Sequence, residues 1–260
     1  MTRYPAPPAL APLLESREGQ GQTPVRYDPD RWARRLHGIV SEDLVRAALE
    51  REDATTSVGP GRRSVTRGSI NDLADAVDLA DDDQVLSLWL LVLAWGNGTK
   101  SQRGFQNAAN ALERSEVLLD NLRRTATILR AAEDTSELAA AHRAWRTGFY
   151  VRESFFSKWF AFAGRRDGRA WQPLILDENV WHTLNGTLGL TVTDLAGSKE
   201  PAAKYQTYVE LVHEWAGSPD RAQWIEWVLF LQDGKLLQDG KLLQDGKLLQ
   251  DGEPAGVPAE

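Results

Sequence analysis

Lys158 and Asp177 stand nineteen residues apart in the stretch 153–184, ESFFSKWFAFAGRRDGRAWQPLILDENVWHTL. A lysine amine that has lost its proton attacks an electrophilic carbon, and an ionised carboxylate steadies positive charge at the same centre. Phe155, Trp159 and Phe162 surround Lys158 in sequence, and an apolar setting disfavours the ammonium. If Ser157 caps that helix, its positive end acts in the same direction. Asp177 falls on the turn that opens the next helix, whose N-terminus favours the carboxylate. We read the two as a nucleophilic amine and its anionic partner facing one pocket. The plain alternatives are a surface lysine, on a helical face with Ser154, Ala161 and Arg165, and a simple N-cap at Asp177.

A second pair lies near the end of the chain. Glu226 and Phe230 are one helical turn apart and so share a face, where a carboxylate can accept hydrogen bonds while the ring offers a flat apolar surface. Gly96-Asn97-Gly98 follows an apolar helix. It reads either as a helix end or as bare backbone, Gly96 and Gly98, able to approach a ligand closely. His182 is read as structural, bonding between packed helices.

The elements that must carry these residues are helical. Asp30 is placed as the cap of a helix with Trp32 and Leu36 on one face, and Ser41 of one with Leu44, Val45 and Leu49. Residues 53–67, rich in Gly, Ser, Thr and Arg, read as a loop. A helix from Ser69 follows. The acidic trio Asp81, Asp82 and Asp83 suits the start of the next, Gln84–Trp95, which is apolar nearly all round and is expected at the centre of the core. Helices are further expected over 102–114, 116–133, 136–147, 200–215 and 220–231, with Ser115 and Thr135 as caps and Pro219 at the last start. No alternating strand is recognised, so the class is all-α. Residues 1–27, with Pro5, Pro7, Pro8 and Pro12, read as a disordered tail, and 28–232 as the folded domain. Residues 233–260 repeat LQDGKL with a period of six and read as a low-complexity extension rather than a solenoid.

Composition limits the chemistry. The chain of 260 residues can bury a sizeable core, and its ten tryptophans predict an aromatic-rich one. It has no cysteine, which excludes disulfides, thiol catalysis and thiolate metal sites, and its four histidines are too far apart for a local metal motif. Neither metal nor cofactor is expected. No apolar run reaches membrane-spanning length and the N-terminus has no continuous apolar segment, so the expected location is the cytoplasm. The net charge is −7, yet residues 99–170 carry 13 basic and 8 acidic side chains. Arg123, Arg124, Arg130, Arg143, Arg146, Arg152, Arg165, Arg166 and Arg169 fall there, read either as phosphate contacts or as a solvated helix surface.

Three islands in order carry a family resemblance. ILDENVWHTL, with Asp177, Trp181 and His182, resembles the segment of 8-oxoguanine DNA glycosylases, in the helix-hairpin-helix glycosylase superfamily, that holds the catalytic aspartate ahead of a Trp-His pair. Lys158 falls at the spacing of that family's Schiff-base lysine, and residues 224–230, WIEWVLF, are similar to its closing helix, WxQxVLF. The resemblance covers roughly residues 84–231. It implies two helical lobes around a cleft, with Lys158 and Asp177 catalytic and Glu226 and Phe230 as the base pocket. The implied activity is excision of an oxidised purine from DNA with lysine-mediated strand cleavage; the other function class is a non-catalytic module binding a nucleic acid or a modified base or nucleotide, as in a defence system. The chain departs from the family in three places. Ser154-Phe155-Phe156-Ser157 stands where the family has a glycine-bearing hairpin that holds a DNA phosphate, Phe162 where it often has a cysteine, and Glu226 where it has glutamine.

Overall fold

The computed structural model describes residues 3–98, 102–145 and 151–233, the side chains of 102–104 excepted, and the backbone of 237–238, 241–244 and 247–248. Helix takes 63% of the chain and the sheet formed ahead of residue 66 has only three strands, so the all-α class holds. At its centre is α5 (Asp82–Asn97), in which every residue from Val85 to Trp95 is buried. Asp81 starts this helix by accepting from the backbone N–H groups of Asp83 and Gln84 at 2.9 and 3.1 Å, and those bonds hold its carboxyl below the usual range. Around α5 pack α3 (Glu42–Leu49), α4 (Arg67–Ala76), α6 (Gln102–Leu112), α7 (Ser115–Ala131) and α9 (Glu153–Ala163). Trp89 meets Trp145 and Trp159 with ring centres 6.3 and 5.9 Å apart, so the core is aromatic as expected.

A second group of helices comprises α8 (Ser136–Ala144), α10 (Glu178–His182), α11 (Val192–Ala196), α12 (Pro201–Ala216) and α13 (Pro219–Gln232), with α12 in contact with α8, α11 and α13. A π-helical turn, Thr183–Thr187, extends α10. The α8 helix joins the two groups by packing on α7.

Several expectations give way to the structure. The stretch 53–67 is not a loop: β2 (Thr55–Gly59) and β3 (Arg62–Val65) form an antiparallel hairpin, and β1 (Val25–Tyr27) pairs with the other edge of β3. Thr55, Thr56, Val58 and Val65 favour extended backbone, while Gly59 and Gly61, at φ 139° and 64°, make the turn that only glycine adopts readily. Nor is the N-terminal segment a disordered tail. Tyr4 and the α1 helix (Leu10–Glu15) dock on the second group, with Leu10 and Leu13 buried. Trp215 Nε1 donates to Tyr4 O, and Trp224 Nε1 donates to Gln20 O. Its prolines shape an extended path without preventing anchorage, because each buried leucine contributes about 1.5–3 kcal/mol. The cap of α2 (Pro29–Leu36) is Asp28 rather than Asp30, and α4 begins from a Thr66–Ser69 capping box rather than at Ser69. Ser115 and Thr135 make no capping bond through their side chains. In the repeat segment, Leu237–Gln238, Lys241–Gln244 and Lys247–Leu248 pair antiparallel, unlike the parallel stacking of a solenoid.

Of the nine arginines between 123 and 169, Arg123, Arg130 and Arg169 bond backbone carbonyls, while Arg124, Arg143, Arg165 and Arg166 form ion pairs at the exposed surface, in keeping with the solvated-surface reading. Arg130 donates to Ala163 O and Ala74 O at 2.8 and 2.7 Å, and Arg169 to Leu129 O and Gly164 O at 2.6 and 2.9 Å. These carbonyls lie at the ends of α4, α7 and α9, where intrahelical donors run out. Burial pushes the Arg169 guanidinium down to about 10. Arg123 holds Leu79 O and Asp82, while Arg124, Arg143, Arg165 and Arg166 pair with Asp120, Glu200, Asp75 and Glu133. Arg152 is exposed, and Arg146 lies outside the described residues.

Candidate functional site

Lys158 is the sixth residue of α9, so Ser157 is inside the helix and does not cap it. The positive helix end expected beside Lys158 is therefore absent. The stretch 154–157 is helical as well, so it is not the position of a hairpin. Lys158 is 7% exposed, its Nζ lying 5.6 Å from the centre of the Phe155 ring. Nζ donates to Ser154 O at 2.8 Å and to Asp177 Oδ2 at 3.0 Å. Asp177 is the N-cap of α10, with Oδ1 accepting from Asn179 N at 3.3 Å. Asp177 thus caps α10 with one carboxylate oxygen and accepts from Lys158 with the other.

The lysine reaches Asp177 by crossing α5 at a glycine. A Cβ added to Gly96 would lie 2.9 Å from Lys158 Cδ and 3.1 Å from Cε, closer than carbon atoms pack. Gly98 does something else: at φ 53° it ends α5 against Val25 and the carbonyl of Arg26, and it does not line the pocket described next.

That pocket, about 140 Å³, opens between the two helix groups. Trp95 and Gly96 of α5 form one wall, and Lys158, Asp177 and Val180 another. Glu226, Trp227 and Phe230 of α13 also line the pocket, as do Ile175 and, from the N-terminal segment, Gln22 and Val25. The volume is below the several hundred Å³ of pockets for drug-sized ligands, and the lining is mostly apolar with a few charged groups converging. The structure thus brings Lys158, Asp177, Glu226, Phe230 and Gly96 to one cavity and leaves Gly98 and His182 outside it. His182 is half exposed and bonds Asp233 at 3.3 Å, so it does not lie in a helix-packing layer as expected.

Glu226 differs most from its sequence reading. It is buried, and Arg67 grips it with both terminal nitrogens, Nη1 to Oε1 at 2.7 Å and Nη2 to Oε2 at 3.2 Å. Ile175 N also donates to Oε2, at 2.7 Å. Sequence reasoning missed Arg67 by placing it in a loop. The available signal was a cation at the first position of α4, where the helix dipole disfavours one.

Ile175 belongs to a stretch, 171–176, that runs through the core with no strand paired to it among the described residues. Side chains supply its partners. Tyr205 donates to Leu174 O at 2.9 Å, Tyr208 to Ile175 O at 2.8 Å, and Ser157 Oγ accepts from Leu176 N at 3.0 Å. Further back, His213 Nε2 meets Gln172 N and O at 3.1 and 2.8 Å. This clamped stretch delivers Asp177 to Lys158.

The fold is thus mostly helical, with a part-buried lysine–aspartate pair in a small pocket between helix groups. The chain belongs to the family described as "Putative 8-oxoguanine DNA glycosylase OGG-like protein", whose family model matches residues 18–230. That span includes the hairpin and the Gln22–Val25 wall, which the resemblance read from residue 84 onward left out. Neither the curated proteins nor the solved structures include a match. Among the described residues, no helix is long and apolar enough to cross a membrane.

Proposed function

We propose that the protein excises an oxidised purine of the 8-oxoguanine type from DNA, with Lys158 as nucleophile and Asp177 as its anionic partner. The observation that carries this reading is the 3.0 Å contact between Lys158 Nζ and Asp177 Oδ2, inside a pocket that also holds Glu226 and Phe230. A binder has no need for that pair. The base leaves the stack and enters the pocket, where Phe230, 40% exposed at the mouth, covers its face. The Nζ lone pair forms a bond to C1′ as the glycosidic C1′–N9 bond breaks. Its electron pair leaves with the base, which takes up one of the two protons on Nζ, while the Asp177 carboxylate steadies the positive charge on the sugar. Opening of C1′–O4′ then moves the nitrogen's remaining proton to the ring oxygen and gives a Schiff base, from which the strand is cut by elimination.

Borohydride delivers hydride to that Schiff base and fixes a protein–DNA adduct. Wild-type protein on a duplex containing 8-oxoguanine is expected to give the adduct, and Lys158→Gln none. Asp177→Asn is expected to slow base release by about 10²-fold or more, the scale of losing one transition-state stabiliser. Equal trapping by Lys158→Gln would refute the nucleophile. Failure of wild type to release any oxidised purine favours the binding module instead.

A further inference from the structure

Glu226 has less to offer a base than its charge suggests. An ionised carboxylate has about four acceptor sites, two on each oxygen. Oε2 spends both, on Arg67 Nη2 and Ile175 N, and Oε1 spends one on Arg67 Nη1. Arg67 is not one of the residues lining the pocket, whereas Glu226 is. One acceptor site on Oε1 therefore remains for whatever enters.

We propose that Arg67 sets the specificity of the pocket by reducing Glu226 to a single acceptor. The pocket then reads one ring N–H and takes 6-oxopurines with or without a 2-amino group. Guanine and hypoxanthine types both carry that N–H at N1. An adenine type has a bare nitrogen lone pair at the same position, which faces the carboxylate unfavourably. The guanidinium is well suited to this role because its fork fixes both carboxylate oxygens at once, which a lysine point charge does not. This inference rests on the base-pocket reading above.

The test is binding of wild-type protein to otherwise identical duplexes containing 8-oxoguanine, 8-oxohypoxanthine or 8-oxoadenine. The first two are expected within about threefold of each other, and the third weaker by at least about tenfold, the loss of one hydrogen bond to a charged group. Arg67→Met, its folding checked by thermal melting, frees two acceptor sites. The preference for 8-oxoguanine over 8-oxohypoxanthine is then expected to rise to about tenfold. A wild-type preference of tenfold or more for the 2-amino base overturns the proposal while leaving the pocket assignment standing, and so do unchanged ratios in folded Arg67→Met. Wild type binding none of the three better than an undamaged duplex overturns the pocket assignment and this proposal together. The wild-type comparison decides the matter even if the variant does not fold.

Discussion

At the scale of single residues, the site depends on a side chain that is missing. Lys158 passes within carbon contact of Gly96, so the route from α9 to Asp177 exists because residue 96 has no Cβ. In Gly96→Ala two effects oppose each other. Alanine favours the α5 helix by about 1 kcal/mol over glycine, while the new methyl pushes the flexible end of Lys158 off its line to Asp177. We expect an unchanged or raised melting temperature together with a loss of borohydride-trapped adduct of at least about tenfold. In a Lys158→Ala background the same substitution is expected to be stabilising, since nothing is displaced. Full adduct formation by Gly96→Ala would show that the lysine has another path. That Lys158, Asp177, Glu226 and Phe230 share one pocket was legible in the sequence, through three islands that resemble a known family in order and spacing. Gly96 was legible only as a position for close approach. Its neighbour turned out to be the protein's own lysine, a contact between residues 62 positions apart that no local pattern carries.

At the scale of elements, the non-helical stretch 171–176 acts as the frame of the site, and its hydrogen bonds are the feature hardest to read from sequence. Such backbone normally joins a sheet; here Ser157 of α9, Tyr205, Tyr208 and His213 of α12, and Glu226 of α13 supply side chains from three helices. The helices were legible because apolar periodicity is local, whereas several of their caps were misplaced. The β2–β3 hairpin was not, since its glycines and threonines resemble loop composition and its third strand comes from residues 25–27. The basic middle was misleading for a related reason: charge is visible in sequence, while the helix-end carbonyls that absorb it are not. Tyr208→Phe tests the frame. It leaves the buried Ile175 carbonyl without its donor and is expected to cost about 1–3 kcal/mol, read as a lowered denaturant midpoint. Because Ile175 N also holds Glu226, base affinity is expected to fall with it. A Tyr208→Phe protein with wild-type stability would mean that the stretch is held by packing alone.

At the scale of the whole molecule, the buried titratable groups define a pH window for stability. Burial lowers His213, so the native protein keeps it neutral while the unfolded chain takes up a proton near pH 6.5. The unfolded state then binds more protons, and stability falls as pH drops below that value. Lower still, Asp81 held by the N–H groups of Gln84 and Asp83, Glu133 by Arg166 and Glu200 by Arg143 act in the same direction. Their stabilisation is present above the ordinary carboxylate range and is lost as they protonate. The alkaline side belongs to tyrosines. Burial pushes Tyr27, whose hydroxyl donates to Leu49 O, up to about 12, and raises Tyr205 and Tyr208 well above their usual value. The unfolded chain loses those protons first, from about pH 10, so stability falls as pH rises from there. The denaturant midpoint is therefore expected to be flat between about pH 7 and pH 9.5 and to fall on both sides. His213→Gln, whose amide can both accept from Gln172 N and donate to Gln172 O, is expected to remove the first acid step near pH 6.5 and leave the carboxylate step below about pH 4 in place. A wild-type midpoint that rises between pH 7 and pH 5.5 would mean that His213 is held charged in the native state, and would reverse the reading of its contact with Gln172.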